Sequence, residues 1–280
     1  MKNILLPTDF SKNSLNAIHY AIELFKDNSC NFYLLNVFKI PYFTNEALLE
    51  NDSIQLTKME NDLFESSQKG LKNLIKKLDN NPKHNFTTLS EYNFFINSVK
   101  NTQKDKDIDL IVMGTKGATG AKEIFMGSNT GDVIMKTQCN VLAIPENTSF
   151  EKPTEIAFPT DYEISYQKEE FELLINIANT NNSKLRIVHF QNKNALNEEQ
   201  RLNKKRLLHI FKNLDFRFHT LTSADFEVGL NCFTQSRGNI DMIAIIAKHY
   251  NFFQRLFFKP KVEELSFHTT IPLLVLHKTK

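Results

Sequence analysis

Ile108-Asp109-Leu110-Ile111-Val112-Met113-Gly114-Thr115-Lys116-Gly117-Ala118-Thr119-Gly120 is the stretch on which the reading of the fold turns. A short run rich in Ile, Leu and Val ends in a loop punctuated by glycines, the pattern of a strand buried in a sheet and released at its carboxyl end. The run returns 132 residues later as Ile240-Asp241-Met242-Ile243-Ala244-Ile245, and Val141 to Ile144 returns at the same offset as Leu273 to Leu276. Nearer the start, Ile4 to Leu6 followed by Pro7-Thr8-Asp9 returns as Ile156-Ala157-Phe158 followed by Pro159-Thr160-Asp161, at an offset of 152. The change of offset means that the second copy has lost about 20 residues, from the stretch corresponding to Asn45 to Lys77. A chain of 280 residues also exceeds the usual single domain of about 100 to 150.

In each copy, short apolar runs alternate with longer amphipathic stretches, so the fold class is α/β with parallel strands between crossover helices. The first copy places strands at Asn3 to Leu6, Asn31 to Val37, Asn85 to Ser90, Leu110 to Met113 and Val141 to Ile144. The second places them at Glu155 to Phe158, Lys184 to Phe190, Phe216 to Leu221, Met242 to Ile246 and Leu273 to Leu276. Leu15, Ile18, Ile22 and Phe25 fall at helical spacing behind Ser11, a suitable N-cap, which makes Thr8 to Ser11 a strand-to-helix turn. The expected domains are residues 1–147 and 153–280, with a polar linker at Glu146 to Lys152 ahead of Pro153.

Bulk properties narrow the function. A composition 41% hydrophobic and 24% charged suits a folded chain. A net charge of +2 provides no strong field for a polyanion, so neither nucleic acid nor a membrane surface is an expected partner. The apolar run at Ile4 to Leu6 is cut by Pro7, unlike a signal peptide, and no run approaches the roughly 20 residues of a membrane span, so a cytoplasmic protein is expected. Cys30, Cys139 and Cys232 match no zinc or disulfide spacing and are expected to be buried, reduced thiols. The densest basic run, Lys204-Lys205-Arg206, lies near Glu198 and Glu199 and reads as a solvated helix face.

The glycine-rich segment continues through Phe125-Met126-Gly127-Ser128-Asn129-Thr130 into a further helical pattern at Val133, Ile134 and Lys136. A loop at the carboxyl end of a parallel strand lies where open α/β sheets bind ligands. An anion held by Gly127 to Thr130 would face a helix N-terminus. The spacing is neither a Walker A loop nor GxGxxG. Taken singly, the glycines also fit ordinary turns, and Ser128 or Asp9 ordinary helix caps.

The spacing Gly114-x2-Gly117-x9-Gly127-Ser128 resembles the ATP-binding members of the universal stress protein (UspA-like) family. So do the opening Leu6-Pro7-Thr8-Asp9-Phe10-Ser11 and the strand ending Leu34-Leu35-Asn36-Val37. The resemblance covers both copies, as in tandem-domain members. It implies two Rossmann-like (HUP-type) domains, each a five-stranded parallel sheet flanked by helices. It also implies that Pro7, Thr8 and Asp9 face an adenosine, that Val37 and Met113 flank the base, and that Gly117, Gly127, Ser128, Asn129 and Thr130 hold the phosphates. The implied ligand is ATP, ADP or AMP, with Mg²⁺ riding on the phosphates rather than on a cluster of protein ligands. The last strands of the two copies would pair within the chain as a pseudo-dimer, while a homodimer of whole chains stays open.

At the offset of 132, Gly114, Gly117, Gly127 and Ser128 fall on Ile246, His249, Lys259 and Pro260, so the second copy lacks the phosphate cradle, and Phe252, Phe253, Phe257 and Phe258 add bulk. Asp161 is then a cap or turn residue. No Ser/His/Asp, Cys/His or paired-carboxylate arrangement emerges, and no catalytic residue or protein metal ligand is named. The favoured expectation is a nucleotide-binding regulator in stress response, with the ligand in the first domain only and hydrolysis slow or absent. The alternative is a dimerisation or interaction module whose glycine loop is unused. An enzyme of phosphoryl transfer ranks last, because no base or arginine finger stands near the motif.

Overall fold

The computed structural model describes residues 1–39, 52–78, 80–115, 128–191, 195–222, 226–247 and 271–277. In chain order the first half comprises β1 (Lys2–Pro7), α1 (Lys12–Leu24), β2 (Cys30–Phe38), α2 (Asp52–Ile75), β3 (His84–Tyr92), α3 (Phe95–Asp105), β4 (Leu110–Gly114), α4 (Ser128–Lys136) and β5 (Asn140–Ile144). The second half comprises β6 (Glu155–Thr160), α5 (Glu172–Asn181), β7 (Lys184–Gln191), α6 (Glu198–Ile210), β8 (Phe216–Thr222), α7 (Phe226–Arg237), β9 (Met242–Ile246) and β10 (Leu273–Leu276). Among the described residues strands and helices alternate from β1 to β5 and again from β6 to β9, which makes the chain α/β and Rossmann-like. Helix α2 has 24 residues and its counterpart α6 has 13, so the two copies differ most between their second and third strands.

All ten strands form one sheet in the order β3-β2-β1-β4-β5-β10-β9-β6-β7-β8. Within each half the pairing is parallel, with β1 between β2 and β4 and β6 between β7 and β9. The seam is antiparallel, with Leu273 opposite Ala143, Leu274 opposite Leu142 and Val275 opposite Val141. The carboxyl ends of the strands therefore point to one edge of the sheet in the first half and to the opposite edge in the second.

The central strands are apolar on both faces because helices cover both, as their unbroken runs require. β4, β5, β9 and β10 are buried along their whole length. One face collects Ile4, Leu6, Phe32, Phe158 and Leu274 in a single core cluster, and the other collects Leu5, Leu35, Val141, Ile243 and Val275. Each cluster draws on both halves, so the seam is continuous with the core.

One buried ion pair enters this interior. Glu155 and Arg186, both buried, meet through Nε to Oε2 at 3.0 Å and a second contact from Nη2 to Oε1, while Arg237 stands 3.7 Å from Oε2. The guanidinium of Arg186 holds the Glu155 carboxyl below the usual carboxylate range. Cys30 and Cys139 are buried and pushed up to about 11 and about 12, whereas Cys232, expected to be buried, is exposed on α7. That helix turns Leu230, Phe233 and Thr234 inward, and position 232 falls on its solvent side. Of the basic run on α6, Lys204 reaches over the rings of Tyr162 and Phe218, and Arg206 donates to Ser165 and Asn203.

Candidate functional site

The chain runs outward from β1 through β2 to β3 on one side and from β4 to β5 on the other, so the strand order reverses between β1 and β4. Open α/β sheets bind ligands in the crevice outside the carboxyl ends of the strands at such a switch point. Pro7 ends β1 and Gly114 ends β4, which puts the Pro7-Thr8-Asp9 turn and the start of the glycine-rich segment on either side of it.

The turn is built by its own side chains. Thr8 is buried, and its Oγ1 accepts from Phe10 N at 3.0 Å and bonds Ser14 Oγ at 3.0 Å. Asp9 is exposed and its Oδ1 accepts from Ser11 N at 3.0 Å. Ser11 caps α1 by accepting from Ser14 N, satisfying one of the free donors at a helix start. Phe10 takes a φ of 62°, which swings its ring under Gly70 of α2; a Cβ there would lie 2.6 Å from the ring. Asn36, buried near the end of β2, donates from Nδ2 to Thr8 O at 2.7 Å and fixes the turn to the neighbouring strand.

On the other side of the crevice, Gly114 is required by close approach, since a Cβ would sit 2.6 Å from the buried Asn13 side chain of α1. Thr130 is buried and donates to Gly114 O at 2.8 Å, tying the first turn of α4 to the end of β4. Asn129 beside it is exposed at the helix start. Val37 and Met113 belong to the same face of the sheet, on the strands flanking β1. Gly117 and Gly127 lie outside the described residues, as does the Ser128 side chain, whose backbone opens α4.

The crevice combines an exposed carboxylate, two apolar side chains and a helix N-terminus. Among the described residues no group of three His, Cys, Asp or Glu side chains is placed to hold a metal ion. No helix of the described residues is long and apolar enough to cross a membrane. Two residues that shape the crevice, Asn13 and Asn36, do not stand out by motif spacing. The signal for Asn36 was present as one amide in the apolar run Leu34-Leu35-Asn36-Val37.

The second half repeats the turn and fills its surroundings. Tyr162 N donates to Thr160 Oγ1 at 3.0 Å, Glu163 N to Asp161 Oδ1 at 2.9 Å, and Tyr162 has a φ of 61°. His189 stands where Asn36 stands, with Nδ1 3.0 Å from Thr160 O, and stacks on the Tyr162 ring at 4.5 Å. Gln200 and Asn203 of α6 donate to Asp161 O and Tyr162 O. Ile246, buried, occupies the position of Gly114, and at the offset of 152 Asn13 becomes Ser165, ahead of a first helical turn delayed to Lys168. His249, Phe252, Phe253, Phe257, Phe258, Lys259 and Pro260 lie outside the described residues.

A reversal of strand order flanked by a Pro-Thr-Asp turn and a helix N-terminus places the chain in the Rossmann-like class of α/β proteins. The universal stress protein family model matches residues 1–145, and the chain belongs to that family. It is 32% identical over 143 residues to a universal stress protein of Methanocaldococcus jannaschii, covering 51% of this chain and 81% of that one. A second universal stress protein of that organism is 26% identical over 159 residues, covering 53% and 97%. Over the whole chain, the fold is similar to the crystal structure of a universal stress protein from Archaeoglobus fulgidus, with a TM-score of 0.61, 12% identity and coverage of 99% and 96%.

Proposed function

We propose that the first half binds an adenine nucleotide, ATP, ADP or AMP, in the crevice between β1 and β4, and that its occupancy regulates the protein during stress. The observation that carries this reading is the switch-point crevice itself. An exposed Asp9 carboxylate lies on one side and the N-terminus of α4 on the other, and the sequence that joins β4 to α4 carries the Gly114-x2-Gly117-x9-Gly127-Ser128 spacing. In this reading Pro7, Thr8, Asp9, Val37 and Met113 take the adenosine, and the backbone and hydroxyl groups from Gly114 to Thr130 take the phosphates, with Mg²⁺ carried by the phosphates. Glycines and hydroxyls supply no general base, so hydrolysis is slow or absent.

The domains are residues 1–147 and 153–280, and the second supports the first as an intrachain pseudo-dimer across β5 and β10 without binding nucleotide. Buried Ile246 at the place of Gly114 favours this asymmetry. The protein acts in the cytoplasm. The test is to purify it without added nucleotide, denature it and identify any adenine compound released, then repeat with Gly127→Lys and Ser128→Pro together, which install the residues of the second copy. Each lost charged hydrogen bond costs about 1.5 to 3 kcal/mol, so the double variant should bind at least about a hundredfold more weakly. No bound adenine compound and no measurable binding in the wild type would instead favour an interaction module with an unused loop.

A further inference from the structure

The turn that carries Asp9 is gripped from outside by helix α2. Phe10 follows Asp9 with a φ of 62°, a left-handed backbone that an aromatic residue adopts only where its surroundings impose it. Its ring, half-buried against the core, runs up to the helix backbone at Gly70. A Cβ on that glycine would lie 2.6 Å from ring Cζ, 2.9 Å from Cε2 and 3.0 Å from Cε1. Glycine inside a helix costs stability relative to alanine, and Gly70 does not take a left-handed φ, so the close approach of the ring is what the position requires. The helix is anchored on either side of this contact. Ser67 Oγ accepts from Ser90 Oγ of β3 at 2.6 Å, and Leu71 and Leu74 are buried in the core.

The grip reaches the Asp9 carboxylate through one peptide. Asp9 Oδ1 accepts from Ser11 N at 3.0 Å, and the peptide that carries this N–H lies on the carboxyl side of Phe10, so its direction follows the Phe10 backbone angles. The second half builds the same left-handed turn at Tyr162 but holds it differently. There Asn203 and Gln200 of α6 donate to Tyr162 O and Asp161 O at 2.9 Å and 3.0 Å, and the ring stacks on His189. We propose that Phe10 and Gly70 are positioning residues for the nucleotide site, and that α2 sets the affinity of the first half through them. This rests on the nucleotide reading above. The coupling is reciprocal: a ligand that holds Asp9 in place also holds α2, and a displacement of α2 weakens the ligand by the same factor.

The experiment is calorimetric titration of the nucleotide-free full chain with ATP and Mg²⁺, for the wild type, Gly70→Ala, Phe10→Leu, Asp9→Ala and their pairings. Gly70→Ala presses a Cβ against the ring, and Phe10→Leu withdraws the ring edge. Each should weaken ATP about tenfold, the scale of one charged hydrogen bond, while far-UV circular dichroism stays that of the native chain. Gly70→Ala with Phe10→Leu should bind no more weakly than Gly70→Ala alone, since the shorter side chain clears the added Cβ. In the Asp9→Ala background neither change should cost more than about a further twofold, because both act through that carboxylate. A merely structural disturbance would instead add its loss to that of Asp9→Ala. Wild-type affinity in both single variants, or additive losses in the pairings with Asp9→Ala, would overturn the proposal and leave the nucleotide reading standing; a wild type that binds no ATP would overturn both.

Discussion

Gly114 and Asn13 form a matched pair: the amide fills the space that a Cβ would need. Gly114→Ala should therefore cost about 1 to 3 kcal/mol in urea unfolding, the usual scale of overpacking. Adding Asn13→Ala should return part of that loss, a positive coupling in a double-mutant cycle. Equal losses in the single and double variants would show that the two side chains do not meet. Thiol chemistry offers a second test at this scale. Cys232 is exposed while Cys30 and Cys139 are buried with raised pKa, so a thiol reagent at neutral pH should label one cysteine of the native chain quickly and three only after unfolding. Much at this scale was not legible in the sequence. Nothing in the types Phe and Tyr announces the left-handed backbone of Phe10 and Tyr162, because neither favours it. The amides that hold the turns act through contacts distant in the chain.

The strands themselves were legible, because both faces are buried and the apolar runs are unbroken. What joins them was less so. The Glu155–Arg186 pair links neighbouring strands through residues 31 apart, a separation with no local signature. Removing one partner of a buried pair leaves an uncompensated charge, so Glu155→Gln should cost about 3 to 5 kcal/mol, read as a lower urea midpoint. His277, just past β10, donates its backbone N–H to Asn140 Oδ1 at 2.9 Å, and its ring Nε2 is buried with no partner among the described residues. Burial pushes its pKa down to about 4. The folded state then binds fewer protons than the unfolded chain, whose histidine titrates near 6.5. Stability is full above that value and falls as pH drops towards 4, by about 2 to 3 kcal/mol. His277→Phe should flatten the pH dependence of the urea midpoint over that window, and an unchanged slope would assign it to His189 and His219, which burial also shifts downwards.

At the scale of the molecule, an internal duplication has become one ten-stranded sheet, with the second copy reversed at an antiparallel seam. The two offsets made the tandem organisation legible, and the glycine-rich loop after Leu110 to Met113 pointed to the first crevice. The same reversal sends the two switch points to opposite edges of the sheet. In the proposed function one half binds adenine nucleotide and the other does not. Calorimetric titration of the nucleotide-free chain with ATP and Mg²⁺ should therefore give one site per chain, abolished by Gly127→Lys with Ser128→Pro; two sites, or none, would overturn the proposal.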